Sequence, residues 1–485
     1  MKKYWILSPG ALAATGIIPA VVAAPQQQKP NVVIIMTDQQ SFNMMSCEGN
    51  RFLSTPNMDR LAAEGYRFER TYVANPVSQP SRYALFTGRF SSDVGIKKNS
   101  KNPAETATTH NYNVEFGMGH LFTRAGYDAV FAGKTHFYQG SGSLGFKRIT
   151  SDPYDGTARK AEEFFASRVD NDKPYIAVFS FLNPHDICLK AGIGDRYNDI
   201  DPYLEGLKDA TEHYLDIKTR LDQAEYRKQI PPMRPNMARV EKQISQVTDL
   251  SIGVQDFTRD DWELYNWMYH RLTESVDAQI GRVLTAMDKA GAWENTIVVF
   301  TSDHGEMQGS HGILFKNVPF EECQRVPFIF VGKGIKRNFK DSNTLVCNGT
   351  DLMPTLCDLT GVTPPSPWVG ISLKPFLIGQ GTLPKRDYII TETYQSFQIT
   401  DGRYKYTVFE VPGNPDMLID LGVDPLELRN FIHDPKYAKI KADMRDKLMK
   451  NLNSRGLLPL TTNKGVDMKK QAVRLQKERE QQKQK

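Results

Sequence analysis

The stretch Asn31-Val-Val-Ile-Ile-Met36 is a short, continuous apolar run, and Asp38 follows it two positions later. Such a run predicts a buried strand of a parallel sheet, with polar residues at its carboxyl end. Similar runs recur at Ala129–Ala132, Tyr175–Phe181, Thr296–Thr301 and Val326–Val331. Helical patterns lie between them, and this alternation predicts an α/β sandwich with helices on both faces of the sheet.

Two segments carry clear helical signals. Thr55-Pro56 is typical of an N-cap and a first helical residue, for a helix that ends near Gly65. Between Leu264 and Ala290 apolar residues recur at helical spacing, which predicts a helix packed against the sheet.

Polar residues follow four of the predicted strands. They are Asp38 after the first, Lys134 and His136 after the second, His185 after the third, and Asp303 and His304 after the fourth. Ligands of open α/β sheets bind beyond the carboxyl ends of the strands, so we expect these side chains to share one site.

The run Ser78-Gln-Pro-Ser-Arg82, continued as Tyr83-Ala-Leu-Phe-Thr-Gly-Arg89, places a small hydroxyl one turn before an arginine. Pro80 suits a first helical position because proline has no N–H to leave unpaired. The helix N-terminus and Arg82 would together favour an anion beside Ser78. A surface helix that merely begins with proline is the alternative interpretation.

The full run resembles the signature of the type I sulfatases, in which a Cys or Ser of the pattern [CS]-x-P-S-R, followed by T-G-R, is oxidised to formylglycine. The serine form resembles the bacterial branch that uses an anaerobic radical maturase. The resemblance implies an alkaline-phosphatase-like α/β fold, with a large mostly parallel sheet flanked by helices. It also implies a smaller C-terminal subdomain with a short antiparallel sheet and a helix, and the segments Asp401–Tyr406 and Asp424–Leu428 resemble parts of it.

The same resemblance assigns roles to the site residues. In the family the hydrated aldehyde, here derived from Ser78, attacks sulfur, and Arg82 would steady it. Two further motifs match: Lys134-Thr-His136 resembles the G-K-x-H element, and Asn183-Pro-His185 resembles the P-H element. They imply that Lys134 holds a sulfate oxygen, His136 is the base that helps to release sulfate, His185 is the acid for the leaving alcohol, and Lys316 binds sulfate. Taken singly, each histidine would be interpreted as structural and Lys316 as a surface charge.

The resemblance also implies a calcium ion, held by Asp38, Gln39, Asp303 and His304. Oxygen ligands select a hard cation, and His304 adds one nitrogen. The chain has Gln39 where many members have a second Asp, which lowers the negative charge and does not exclude magnesium. Asp38 alone would be interpreted as a cap or turn residue, and a role for His304 outside the direct ligands is an alternative.

The N-terminus is typical of a secretory signal peptide, because Lys2 and Lys3 precede an apolar stretch over Tyr4–Val22. We therefore expect a periplasmic protein. Other runs fall short of the roughly 18 apolar residues of a membrane span, so stable membrane insertion is not expected. The five cysteines are widely spaced and odd in number, which favours mostly free, buried thiols over a metal motif.

Composition divides the chain into four parts. We predict a signal peptide over 1–24, a catalytic α/β domain over 28–384, a C-terminal subdomain over 385–467 and a basic polar tail over 468–485. Within the catalytic domain, residues 190–260 are polar and mostly helical in pattern, typical of an insertion that sets specificity. The net charge of +5 comes from the signal and the tail, and the remaining body carries −2. A nucleic-acid partner is therefore not expected.

These observations predict an exported sulfatase that acts on sulfated oligosaccharides, with glycosaminoglycan-derived sugars as the class that the resemblance favours. A maturase that oxidises Ser78 would be its partner. Trp262, His270 and Tyr394 are candidate sugar contacts, with packing as the alternative for each. Two other functions stay open: a phosphonate or phosphodiester hydrolase of the same superfamily, and a binding protein that retains sulfated glycans without turnover.

Overall fold

The computed structural model of the protein describes Met1 and residues 28–99, 115–138, 140–169, 173–188, 205–220, 222–237, 257–365, 367–380, 386–410 and 415–460. Apart from Met1, the predicted signal peptide lies outside the described residues, and so do the basic tail and much of the predicted insertion, over 190–204 and 238–256.

Eight strands form the central sheet. They are β1 (Asn31–Asp38), β2 (Tyr66–Tyr72), β3 (Asp128–Gly133), β4 (Lys147–Thr150), β5 (Tyr175–Pro184), β6 (Thr296–Ser302), β7 (Phe328–Val331) and β8 (Phe339–Cys347). Their order across the sheet is β4-β3-β5-β1-β6-β7-β2-β8. Strand β1 is parallel to both of its neighbours, whereas β7 is antiparallel to both β6 and β2.

The mostly parallel sheet is confirmed, but the prediction of a parallel strand over Val326–Val331 is wrong. That strand begins at Phe328 and runs against β6. An apolar run encodes burial and not direction, which depends on the connection. Here residues 303–327 turn back at the edge where β6 ends, and the chain re-enters the sheet beside β6 from that same edge.

Eleven α-helices belong to the described part of the chain. They are α1 (Pro56–Glu64), α2 (Ser78–Thr87), α3 (Met118–Arg124), α4 (Asp155–Ala166), α5 (Glu205–Arg220), α6 (Gln223–Gln229), α7 (Arg259–Lys289), α8 (Glu321–Gln324), α9 (Asn348–Thr360), α10 (Lys374–Ile378) and α11 (Ala438–Ser454). Short 3₁₀ turns cover Ser46–Glu48, Ser141–Leu144, Ala292–Asn295, Ser310–Gly312 and Pro435–Tyr437.

The side chains of β1 alternate between two apolar cores. Val32, Ile34 and Met36 pack in a cluster with residues of α2, α3 and α9. Val33 and Ile35 pack in a second cluster with residues of α1, α4 and α7. Because both faces of β1 are covered, each of its positions favours an apolar side chain, which explains the unbroken run.

The beginnings of α1 and α2 differ in detail from the sequence expectation. Thr55 is at the N-cap of α1, as predicted, but its Oγ1 accepts from the backbone N–H of Ser46 at 2.8 Å and from no N–H of the helix. Helix α2 begins at Ser78, and Val77 is its N-cap. Pro80 is thus the third helical residue, where the missing N–H is still harmless because the first four N–H groups have no partner inside the helix.

A second, smaller sheet lies in the C-terminal part. Its four antiparallel strands are β9 (Ile389–Glu392), β10 (Ser396–Thr400), β11 (Tyr404–Phe409) and β12 (Met417–Asp420), in the order β12-β11-β10-β9. One apolar cluster joins this sheet and α11 to the main sheet, with Tyr72 and Phe90 on one side and Ile399, Tyr406 and Leu448 on the other. The predicted fold class is confirmed, and the domain boundaries stay a prediction. Among the described helices none is both long and apolar enough to cross a membrane.

Arg455, just after α11, links the C-terminal part to the catalytic part. Its guanidinium donates to Oδ1 of Asp93 at 2.8 Å and to Oε1 of Glu392 at 2.6 Å, and it lies 4.0 Å from the ring centre of Phe90. Glu392 is buried and also accepts from Oγ of Ser91 at 2.9 Å. Arg455 therefore supplies the cation that neutralises a buried carboxylate.

We predict that Arg455→Ala lowers the free energy of unfolding by about 3 kcal/mol, because it leaves Glu392 buried without its cation. Urea unfolding followed by circular dichroism measures the change. Arg159 lies on the exposed face of α4 with 53% of its side chain accessible, so Arg159→Ala is the control and changes the value by less than about 0.5 kcal/mol. Equal values for the two variants would contradict the prediction.

Candidate active site

Four neighbouring parallel strands, in the order β3-β5-β1-β6, end at one edge of the central sheet. The structure brings the polar residues of these ends together, namely Asp38 at the end of β1 and Gln39 directly after it, Lys134 and His136 after β3, His185 after β5, and Asp303 and His304 after β6. Helix α2 brings Ser78 and Arg82 to the same edge, because both residues contact side chains there.

Arg82 is the centre of this edge. It is fully buried, and its guanidinium donates to Oδ2 of Asp38 at 2.9 Å and to Oδ2 of Asp303 at 2.8 Å. It also donates to the backbone oxygen of Lys134 at 2.7 Å and to Oγ of Ser180 at 2.9 Å. One arginine side chain is thus bonded to residues that lie in all four strands or directly after them.

The pKa values of Asp38 and Asp303 are shifted in opposite directions. Burial disfavours the charged form of Asp38, but Lys134 and the other cations around it outweigh burial and hold its pKa well below the usual range. Burial and the negative charge of Asp38 raise the pKa of Asp303 to about 7. The pair therefore carries one firm negative charge and a second that is weakened by the first, and a bound cation would favour the charged form of both.

Asp38, Asp303 and His304 form a group that fits a metal ion. One ligand atom from each lies within 4.8 Å of the others, and all three residues are buried. Nε2 of His304 is 3.8 Å from Oδ1 of Asp38 and 3.7 Å from Oδ1 of Asp303. Oδ1 of Asp38 is buried and has no hydrogen-bond partner among the described residues, so it is a vacant ligand oxygen.

His304 also contacts Ser78. Its Nδ1 is 2.9 Å from the backbone oxygen of Gly305, and its Nε2 is 2.9 Å from Oγ of Ser78. A carbonyl oxygen only accepts, so Nδ1 carries the proton of the neutral ring and Nε2 presents a lone pair. Burial and the charge of Lys316 lower the pKa of His304 well below its usual value, which keeps the ring neutral.

Gln39 lies next to the metal group with a backbone φ of 69°. Its backbone N–H donates to Oδ1 of Asp303 at 3.1 Å, and its side-chain oxygen accepts from Nζ of Lys316. Its amide nitrogen contacts Sγ of Cys188 at 3.1 Å and donates to Oε2 of Glu306. The amide nitrogen is thus anchored to Glu306, which turns the carbonyl oxygen toward Lys316.

His136 and His185 lie around the same charges. His136 has a φ of 55°, and its Nδ1 is buried without a partner among the described residues. Burial and the charges of Lys134 and Arg82 lower the pKa of His136 to about 4. Nε2 of His185 is 3.9 Å from Oδ1 of Asp38, and burial lowers the pKa of His185 well below its usual value. Both rings are therefore neutral at pH 7.

Three residues of this edge were missed by the sequence reasoning. Ser180 bonds Arg82, and its signal was a polar residue inside the apolar run Tyr175–Phe181. Cys188 lies three positions after His185, and Glu306 three after Asp303, so proximity to a motif was the available signal. Glu306 is fully buried. None of the five cysteines, all of which the structure describes, forms a disulfide.

The three candidate sugar contacts have mainly packing environments. Trp262 is buried, with its ring centre 5.0 Å from that of Phe257. His270 is buried and has Nε2 at 3.2 Å from the amide nitrogen of Asn50. The backbone N–H of Tyr394 donates to Oδ1 of Asn317 at 3.1 Å, and its ring is half-buried. Packing accounts for Trp262, whereas both ring nitrogens of His270 have polar contacts and the residue lines a cavity with Asn50 and Asn266.

Comparison with known proteins agrees with this geometry. The sequence profile of the Sulfatase family matches residues 30–362, and the profile described as N-sulphoglucosamine sulphohydrolase, C-terminal, matches residues 309–454. A Delta 4,5-hexuronate-2-O-sulfatase of Bacteroides thetaiotaomicron is 31% identical, with 87% of this chain and 89% of that protein covered.

Two further proteins are similar to this chain over a comparable share of its length. An N-acetylglucosamine-6-O-sulfatase of the same species is 28% identical over 88% of this chain and 87% of its own length. The solved structure of a 2-O GAG sulfatase has a TM-score of 0.73 and 30% sequence identity, covering 88% of this chain and 93% of that one. Profile, identity and fold all point to one conclusion: the chain belongs to the sulfatase family and is a sulfuric ester hydrolase.

Proposed function

We propose that this sulfatase is an exported, calcium-dependent enzyme that hydrolyses sulfate esters of glycosaminoglycan-derived saccharides through a formylglycine made from Ser78. The position of Ser78 carries the proposal. It is the first residue of α2, and its Oγ lies 2.9 Å from Nε2 of His304. Arg82, Asp38 and Asp303 are bonded to one another on the same edge.

Conversion of Ser78 requires a partner maturase that acts as the oxidant. Breaking one C–H and the O–H bond forms the C=O bond of an aldehyde, and two protons and two electrons leave. The hydrate of this aldehyde supplies the oxygen that attacks the sulfur of the substrate. Because Ser78 is fully buried in the folded chain, we propose that oxidation precedes folding or export.

Calcium is the ion that the ligand atoms favour, because the carboxylates of Asp38 and Asp303 and the carbonyl oxygen of Gln39 are hard ligands. His304 adds one nitrogen ligand. The carbonyl oxygen of Gln39 would also keep the hydrogen bond that it accepts from Nζ of Lys316. When bound, the ion would polarise the sulfate ester and offset the charge of the carboxylates.

Cationic side chains around this group fit the sulfuryl oxygens. Arg82 donates four of its N–H groups to protein atoms, so its main role is to hold Asp38 and Asp303, with one N–H left for the hydrate. Lys134 lies 2.5 Å from Oδ2 of Asp38, and Lys316 donates to Gln39. We assign the two lysines to the substrate sulfate, where they stabilise negative charge as the ester bond breaks.

The two neutral histidines suit the proton transfers. We assign His136 as the base that accepts a proton when sulfate is released, because its pKa of about 4 leaves it neutral at pH 7. His185 is assigned as the acid for the leaving alcohol. Burial, together with the positive charges of Lys134 and Lys316, lowers the pKa of His185 in the free protein. A bound sulfate brings negative charge beside it, which raises that pKa and favours the protonated ring.

The substrate class is supported by the relatives. Both curated relatives are named for sulfate groups on sugars, at different positions, and the solved relative is named as a GAG sulfatase. This supports a glycosaminoglycan-derived saccharide and leaves the position of its sulfate to experiment. We also propose that the segment over Tyr4–Val22 exports the protein to the periplasm, which is the compartment where a fragment of an external polysaccharide is met.

We predict that protein produced with an active maturase has a Ser78 peptide lighter by two hydrogens, and that Ser78→Ala lowers kcat/KM on sulfated saccharides at least about 1000-fold. Peptide mass spectrometry and sulfate release measure the two effects. Ser454→Ala, at an exposed serine, is the control and keeps wild-type turnover. Retained turnover by Ser78→Ala would contradict the proposal, and an unmodified Ser78 that turns over phosphate esters would favour a phosphoesterase.

We predict that the effect of His185→Ala depends on the leaving group. An alkyl saccharide sulfate needs a proton on its leaving oxygen, so its kcat falls about 100-fold or more, whereas an activated aryl sulfate is much less affected. Steady-state kinetics on both substrates measures this difference. His136→Ala is the matched control and lowers both rates to a similar degree, since release of sulfate is common to both. An equal loss on both substrates in His185→Ala would contradict its role as the acid.

We predict that Ca²⁺ stabilises the chelator-treated protein, by about 2.7 kcal/mol at a free ion concentration 100 times Kd. Thermal unfolding in Ca²⁺ and in Mg²⁺ measures the gain, and Ca²⁺ gives the larger one because more oxygens reach it. Asp303→Asn removes a ligand charge and loses the gain, whereas Asp260→Asn, at an exposed aspartate, keeps it. An unchanged gain in Asp303→Asn would show that the ion binds elsewhere.

A further inference from the structure

A second group of ligating side chains lies outside the site described above. It consists of His311 in the turn Ser310–Gly312, Glu322 in α8, and Glu427 between β12 and α11. One ligand atom from each residue lies within 4.8 Å of the others. These residues come from two different parts of the chain, because Glu427 belongs to the C-terminal part and the other two to the connection between β6 and β7.

His311 is held in place without using its ring nitrogens. Its backbone N–H donates to the oxygen of Asn236 at 2.7 Å, and its ring stacks on Phe320 at 4.1 Å between ring centres. The residue is only 6% exposed, yet neither Nδ1 nor Nε2 has a hydrogen-bond partner in the described part of the chain. A neutral imidazole has one nitrogen without a proton, and that nitrogen offers a lone pair. A buried imidazole with both nitrogens unpartnered calls for a ligand.

The carboxylate of Glu322 also has a buried atom without a hydrogen-bond partner. Its Oε1 accepts from the amide nitrogen of Asn236 at 2.7 Å, while its Oε2 is buried without a partner among the described residues. Oε1 of Glu427 accepts from Nζ of Lys405 at 2.6 Å, and its Oε2 accepts from the backbone N–H of Glu321 at 2.8 Å. An unpartnered nitrogen and an unpartnered carboxylate oxygen therefore lie next to a second carboxylate.

Charged side chains of both signs surround this group. Lys405 contacts Glu321 and Glu427, and Arg325 contacts Glu321. None of these contacts satisfies Oε2 of Glu322, which is buried without a partner in the described part of the chain. A buried carboxylate oxygen of this kind is costly unless a proton or a metal ion compensates it.

We propose that His311, Glu322 and Glu427 bind a divalent transition-metal ion of the Zn²⁺ class. One imidazole nitrogen with two carboxylate oxygens suits Zn²⁺, whereas Ca²⁺ prefers a shell made only of oxygens. Zinc holds such ligands at about 2.0–2.2 Å, so the ligand atoms of a bound ion lie closer together than the 4.8 Å that bounds their separation here. Lys405 keeps a partner, since its Nζ also lies 3.0 Å from Oε1 of Glu321.

The proposed ion has a structural role. His311 lies five positions before Lys316, in the connection that carries it, and Glu427 lies in the C-terminal part. The metal would therefore join the loop that presents Lys316 to the segment after β12. Nothing in this proposal depends on the metal group of Asp38 and Asp303, and none of its ligands is a residue assigned to catalysis.

The experiment measures Zn²⁺ bound to the full-length protein. Chelator-treated protein is equilibrated with Zn²⁺ in a buffer with millimolar Ca²⁺, which competes for the Asp38 and Asp303 group, and is then gel-filtered for metal analysis. Four proteins are compared: wild type, His311→Gln, Glu322→Gln and the control His433→Gln. His433 is an exposed histidine of the C-terminal part, so its loss reports weak surface binding only.

We expect wild type and His433→Gln to retain one Zn²⁺ per chain more than His311→Gln and Glu322→Gln do. We also expect Zn²⁺ to raise the Tm of the first pair and not of the second. Equal Zn²⁺ content in wild type and both ligand variants would overturn the proposal. If His311→Gln does not fold, the Zn²⁺ content of Glu322→Gln alone tests the proposal, because that change keeps the shape of the side chain and removes its charge. A loss of Ca²⁺ stabilisation in Asp303→Asn with this Zn²⁺ retained would separate the two sites.

Discussion

The buried interaction of Arg82 with Asp38 and Asp303 is the constraint on which the rest of the site depends. These charges lie where four strands end, and the arginine also bonds Ser180 and the backbone oxygen of Lys134. Three charged groups with no solvent access are stable together only while each keeps its partners. The register of β1 and β6 and the position of α2 are thus coupled through one side chain.

This coupling explains how Ser78 comes to lie beside the metal group. Ser78 and Arg82 are four positions apart in α2, and residues at that spacing share one face of a helix. Once Arg82 binds the two carboxylates, the same face brings Ser78 within 2.9 Å of His304. The loop after β6 supplies both Asp303 and His304, so one short segment provides a partner to each residue of the helix face.

Much of the fold and of the candidate site could be predicted because their signals are local. The apolar run of β1 and the helical spacing in α7 each depend on burial, and burial selects side chains at every position of an element. Strand direction has no such local signature, which is why β7 was predicted to be parallel. The start of α2 was placed two positions late for a related reason, because proline is tolerated throughout the first turn of a helix. The strands β2 and β8 mix polar and apolar residues, and the sequence reasoning did not find them.

The sequence by itself determined the family, the succession of the main strands along the chain and the groups expected to share one site, because these depend on residue type and short spacing. Only the tertiary structure decided the order of the strands across the sheet and which further groups contact the site. The amide nitrogen of Gln39 is anchored to Glu306, and His311 meets Glu427 from the far end of the chain. Such contacts join residues that are hundreds of positions apart in some cases, and no local pattern encodes them. They follow from the way a parallel sheet gathers its strand ends at one edge and from the packing of a second sheet against it.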